Sequence, residues 1–230
     1  MERHEIISHV MHEVDGIIDR QRTIDSVRRA LDERARDPHE EDFIYGEGTN
    51  NQKVFRENID GVIIEKTILH RRGAADTDIS GADLLFEIVG EKYVLVQYKR
   101  ADGSGRIKND ESQLEELIGS CSNDCPEFRP YMLGNCGAWY ALIDGKALSY
   151  MPACVASKSF AGRSSCKASN FQRAIEREAF LSAFAKCYIG ARTAEWPYSS
   201  YSPSALMLFG YESSNPLVIV RQLGRFRQSV

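Results

Sequence analysis

Apolar residues recur along this chain with two different periods, and the change from one to the other marks its organisation. In IISHVMHEVDGII the residues Ile6, Val10, Val14 and Ile17 fall on one helical face, and in TIDSVRRALDERAR Ile24, Val27 and Leu31 do so behind a Thr23 cap. DPHEEDFIYGEG carries turn residues and acids without a period and reads as a linker, whereas TNNQKVFRENIDG reads as a short helix stopped by Gly61. Strand-like segments follow. VIIEKTILH, DLLFEIV, YVLVQYK, AWYALI and ALSYM are rich in β-branched and aromatic residues, with GEK and DGK as hairpin loops. Between the third and fourth, NDESQLEELIGSC places Leu114, Leu117 and Ile118 on one helical stripe. NFQRAIEREAFLSAFAKCY predicts another helix, with Phe171, Ile175, Phe184 and Tyr188 along one side, and ALMLFGY and PLVIV are two last strands. This order predicts an N-terminal helical segment over 1–44 and an α/β domain over 45–230, a sandwich with a mixed sheet.

One strand ends oddly. In VLVQYKRADG side chains alternate, so Val94, Val96 and Tyr98 share one face while Leu95, Gln97 and Lys99 share the other, and an apolar strand closes on a polar pair. The plain account is a strand that surfaces into water there. The chemical account comes from its hairpin partner. With Gly90, Glu91 and Lys92 as the loop, Val89 faces Tyr93, Leu85 faces Gln97 and Asp83 faces Lys99, whereas a two-residue loop turns Asp83 toward Tyr98. A carboxylate, a carboxamide and an ammonium then meet at the open end of the hairpin. Mg²⁺ takes oxygen ligands and keeps several waters, so Asp83 can supply a charged ligand and the Gln97 carbonyl a neutral one. Lys99 can orient a water or offset charge on a phosphate.

These residues carry a resemblance. GADLLFEIVGEKYVLVQYKR resembles the core of the PD-(D/E)XK nuclease superfamily in its QxK form, with thirteen residues between Asp83 and Gln97 and the helix of QLEELIGSC behind the hairpin. It covers at most residues 45 to 155. The resemblance implies a restriction-endonuclease-like three-layer sandwich, a central mixed sheet flanked by helices. It further implies a Mg²⁺- or Mn²⁺-dependent endonuclease acting on nucleic acid, DNA in the first instance, in a prokaryotic defence or restriction setting. The family usually adds an acid from the helix before the hairpin. Glu47 is the first choice here, with Glu57 and Asp78 left open, and a carboxylate near a helix N-terminus is also explained by the macrodipole alone. Gln113 can face the same pocket from the following helix or be an exposed glutamine. Gln in place of the commoner Glu removes a charge, which favours one ion over two, and an inactive nucleic-acid-binding or assembly module on the same fold is the alternative.

Composition narrows the partners. The chain has 230 residues, 43% hydrophobic and 27% charged, enough for one sizeable core. Its formal charge of -4 is unevenly spread. Residues 1–50 hold 7 Lys+Arg against 13 Asp+Glu, residues 51–156 hold 12 against 16, and residues 157–230 hold 10 against 4. The basic last third includes Arg163, Lys167, Arg173, Arg177, Lys186, Arg192, Arg221, Arg225 and Arg227, a composition suited to a polyanion. No apolar run of membrane length and no signal peptide is visible, so a cytoplasmic protein without membrane association is expected, alone, as a homo-oligomer or with a partner protein. Cys121, Cys125, Cys136, Cys154 and Cys166 include a C-x₃-C spacing, but without paired knuckles or histidine partners they read as small hydrophobes better than as Zn²⁺ ligands.

Overall fold

The structure, a computed structural model, describes residues 4–12, 14, 52–59, 62–69, 82–88, 91–119, 136–145, 147–186, 188–192 and 218–223. The segments expected as a helix at 23–36 and a strand at 205–211 lie outside them, as do Cys121 and Cys125.

The described strands are β1 (Gln52–Ile59), β2 (Val62–Leu69), β3 (Leu84–Ile88), β4 (Lys92–Arg100), β5 (Arg106–Lys108), β6 (Ala138–Asp144), β7 (Ala147–Pro152), β8 (Ser165–Lys167), β9 (Ile175–Glu176), β10 (Ala191–Arg192) and β11 (Val218–Leu223). The helices are α1 (residues 4–12), α2 (Glu111–Gly119), α3 (Ala153–Phe160) and α4 (Arg177–Ala185). Nine strands form one mixed sheet in the order β1-β2-β11-β3-β4-β6-β7-β9, with β10 on the start of β4. β11 runs parallel to β3 and β6 parallel to β4, and the other neighbours are antiparallel. β5 and β8 make a separate two-stranded ribbon.

At β3, β4 and β6 the sheet is buried on both faces, which is why β3 and β4 read as almost unbroken apolar runs. On one face Leu84, Phe86, Val94, Val96, Tyr98 and Trp139 pack with Ile6, Val10 and Val14 of the N-terminal helical turns and Phe180 and Phe184 of α4. On the other, Leu85, Leu95, Tyr140 and Met151 pack with Leu114 and Leu117 of α2, Phe160 of α3, and Ile107 and Cys166 of the ribbon. Helices thus cover a mixed sheet on both sides, three layers in all. Ring contacts tie the layers: Tyr150 stacks on Phe180 at 4.0 Å between centroids, and Tyr140 meets Phe160 edge-on at 6.0 Å.

The structure corrects three expectations from sequence. QKVFRENI is strand β1 and not a helix, since it pairs along its length with β2. Ile59 pairs with Val62 across Asp60 and Gly61, and Asp-Gly, which also suits a helix stop, is a preferred two-residue hairpin dipeptide. The hairpin loop between β3 and β4 is Val89, Gly90 and Glu91, because Ile88 pairs with Lys92. Lys92 leaves the loop for the core, where its ammonium lies 4.2 Å from the centre of the Phe184 ring. Finally, α4 spans only the second half of its predicted helix: Ile175 pairs with Tyr150 as β9, and Tyr188 stands 68% exposed. Residues 153–160 form a helix that periodicity does not suggest, directly after Pro152 at its N-cap.

Among the described residues no helix is long and apolar enough to cross a membrane.

Candidate active site

β4 is central and feeds the site. It crosses to β6 through the ribbon strand β5 and helix α2 on one face of the sheet, so the carboxyl end of β4 and the amino end of α2 come together. Asp110 starts α2: its carbonyl accepts from the Leu114 amide at 3.0 Å, and its carboxylate accepts from the Ser112 hydroxyl at 3.2 Å. Gln113 is thereby placed on the first turn, half-buried and beside β4.

Gln97 and Lys99 share the face toward α2, as alternation requires, and both reach the same atom. Gln97 Nε2 donates to Gln113 Oε1 at 2.7 Å, and Lys99 Nζ donates to it at 2.6 Å. Donor logic fixes both amides. An ammonium only donates, so Gln113 must present its oxygen to Lys99. Gln97 must then present its nitrogen, which turns its own carbonyl oxygen the other way. Gln97 is 1% exposed, and its Oε1 has no hydrogen-bond partner among the described residues. Leaving a buried carbonyl unsatisfied costs about 1–3 kcal/mol, so an oxygen held this way suits a cation or a donor from outside the fold.

Asp83 arrives by a different route from the one a regular hairpin count gives. With Leu84 opposite Val96, regular pairing would bring the Ala82 carbonyl to the Tyr98 amide. Instead the Asp83 amide donates to the Val96 carbonyl at 2.9 Å, and the Asp83 carboxylate accepts from the Tyr98 amide at 2.7 Å. The chain leaves the ladder one residue early, in the manner of a bulge, and a side chain takes the part of a main-chain carbonyl. Asp83 therefore lies alongside Tyr98, the residue between Gln97 and Lys99, and not opposite Lys99. A carboxylate has about four acceptor positions, more than the Tyr98 amide fills by itself.

Glu47 and Asp78 lie outside the described residues. Glu57 belongs to β1, from which β2, β11 and β3 separate β4, roughly 19 Å at the usual strand spacing. The helix expected to present Glu57 is a strand. Gln113 is the site residue that sequence undervalues, since the exposed-glutamine account fails. Its signal is the pattern Asp110-x-x-Gln113, in which the third-position side chain ordinarily turns back to the cap and here turns to β4.

Among the described residues the cysteines do not converge. Cys136 lies in the core on one face of the sheet and Cys166 on the other, neither of them in a disulfide. Burial pushes the Cys166 thiol up, against the opposing charges of Arg106 and Arg163. Among the described residues no three His, Cys, Asp or Glu side chains are grouped to hold a metal, so any ion at this site would depend on one carboxylate with neutral oxygens. Arg177, on α4, sets its guanidinium against His12, which also lies 3.8 Å from Glu178, on the layer away from Gln97.

No family model, curated protein or solved structure matches the chain.

Proposed function

We propose that the chain is a divalent-metal-dependent nuclease of the restriction-endonuclease-like fold, hydrolysing phosphodiester bonds of DNA at Asp83, Gln97, Lys99 and Gln113. The observation that carries this reading is the buried Gln97 Oε1, which Gln113 and Lys99 together hold turned away from the donors described around it. Asp83 and the Gln97 carbonyl would hold Mg²⁺ or Mn²⁺, with Asp83 as the charged ligand. Such an ion supplies Lewis-acid polarisation of the phosphate.

The chain's own groups account for the rest. Lys99 brings a positive charge to the phosphate oxygens, where charge grows as a water oxygen bonds to phosphorus and the bond to the leaving oxygen breaks. The water gives a proton to solvent, and the leaving oxygen takes one up. Gln113 fixes the Lys99 ammonium and the Gln97 amide, so neither must reorganise during the step. One carboxylate and one ammonium nearly cancel. Weak affinity for the free ion follows, and binding improves when a substrate phosphate adds oxygens of its own.

The test is plasmid DNA with Mg²⁺, with Mn²⁺ and with EDTA, for wild type, Lys99→Ala and Asp83→Ala. Cutting that needs the metal and is lost in both variants is the expected result. If Lys99→Ala cuts as wild type does and metal-free controls stay intact, Lys99 is not a catalytic residue and the binding-module alternative takes its place.

A further inference from the structure

β5, the first strand of the β5–β8 ribbon, lies in the chain between the two halves of the site. Arg106 follows Lys99 by seven residues, and Gln113 follows Lys108 by five. Ile107 and Cys166 pair across the ribbon and point into the core, which leaves Arg106, Lys108 and Lys167 on its exposed face with half-buried Ser165. The two strands are also joined at their ends, where the Asn109 amide donates to the Ser164 carbonyl and the Ala168 amide to the Gly105 carbonyl, at 2.8 and 2.9 Å. This is a fixed element and not a loose loop.

Its charges are arranged against its own stability. Arg106 stands directly opposite Lys167, and like charges so placed in an antiparallel pair repel. Arg163 is exposed beside them, and both it and Arg106 are near enough to Cys166 for their charges to act on the thiol. The side chains of Lys108, Arg163 and Lys167 make no hydrogen bond or ion pair among the described residues. From residue 145 to residue 175 the sequence has two arginines and three lysines and no acid. The acids that flank β5 in sequence are Asp102, tied to Ser104 and to the Arg106 amide, and Asp110 and Glu111, which open α2.

We infer that the β5–β8 ribbon is the element that holds the sugar–phosphate backbone of duplex DNA beside the site, through Arg106, Lys108, Arg163 and Lys167. Residues two apart on one strand are separated by about 7 Å, so Arg106 and Lys108 can meet successive phosphates, with Lys167 across from Arg106 and Arg163 two residues before Ser165 at the Lys108 end. A phosphate between Arg106 and Lys167 turns their repulsion into attraction. The inference rests on the proposed nuclease reading for the identity of the polyanion, and it moves the binding surface from the C-terminal third as a whole to one ribbon.

The test measures binding of a 30-base-pair duplex by fluorescence anisotropy in EDTA, so that no cutting is needed. Arg106 is left in place because its guanidinium bonds Ser165 at 2.8 Å and helps to close the ribbon. The triple variant Lys108→Ala, Arg163→Ala and Lys167→Ala is expected to raise Kd at least about tenfold. It should also flatten the slope of log K against log salt by about 2–3, near 0.9 for each phosphate no longer neutralised. Lys108→Arg with Lys167→Arg should bind as wild type does. An unchanged Kd and slope in the triple variant, or no binding by wild type at low salt, overturns the inference. Because neither outcome depends on cleavage, a ribbon that fails leaves the metal-site test standing, and a protein that binds through the ribbon without cutting refutes the nuclease alone.

Discussion

Replacing Gln113 with leucine removes one oxygen that two donors share. Gln97 Nε2, in a side chain 1% exposed, loses its acceptor, and an unsatisfied buried donor costs about 1–3 kcal/mol. Lys99 loses a charge-assisted bond at 2.6 Å, but it is half-buried, so water recovers part of the value and about 1 kcal/mol is the fair figure. The sum is roughly 2–4 kcal/mol, a fall in Tm of several degrees for a chain of this size. Urea unfolding of wild type, Gln113→Leu, Lys99→Met and the double variant forms a cycle, and the shared oxygen predicts a coupling of about 1–2 kcal/mol. Gln113→Glu keeps an acceptor for both donors and is expected to stay within about 1 kcal/mol of wild type. Effects that add to within about 0.5 kcal/mol would refute the bridge, and with it the assignment of the Gln97 amide.

Three further outcomes follow from the same bonds and their neighbours. Gln97→Glu restores a second carboxylate and is expected to tighten Mn²⁺ binding about tenfold or more by electron paramagnetic resonance, with an unchanged affinity counting against Gln97 as a ligand. The Ser104 hydroxyl and the amides of Arg106 and Ser104 hold the Asp102 carboxyl below its ordinary value, so its stabilising effect is present above about pH 4 and fades as pH falls through the lowered value. Asp102→Ala should therefore speed hydrogen exchange at the Ser104 and Arg106 amides at pH 7 and leave it unchanged in strong acid. Burial, and then the charge of Asp110, push the Glu116 carboxyl up, so its ionised form costs stability as pH rises. Glu116→Gln should raise the urea midpoint modestly at pH 7 and match wild type below about pH 4.5.

What the sequence discloses and what it hides follow one physical line. Faces are legible because strand alternation has period two: moving the hairpin loop by one residue shifts the register by two, and Gln97 and Lys99 keep the predicted face. The position of Asp83 is not legible, since it depends on a departure from the ladder that no periodicity records. β1 escapes because Val54, Phe55 and Ile59 fit a helical spacing nearly as well as a strand, and only its pairing with β2 decides. α2 is found through Leu114 and Leu117, which point into the core, but periodicity says nothing of how a polar side chain on the first turn is aimed. The ribbon goes unnoticed because strands of three residues carry too little pattern to stand out.

The bond from the Tyr98 amide to the Asp83 carboxylate also bears on how this site would decay over evolutionary time. A lineage released from selection for chemistry would still be selected for a closed sheet, and position 83 answers to both demands. Asparagine keeps an oxygen for the amide while giving up the charge, so it is the cheapest first departure there. Lys99, next to last in β4, is half-buried, and its bond to Gln113 joins two side chains without closing the ladder, so position 99 is the more open of the two to drift. On the proposed nuclease reading, copies of this fold that no longer cut should therefore lose the lysine first and keep an oxygen-bearing side chain at position 83 long afterwards.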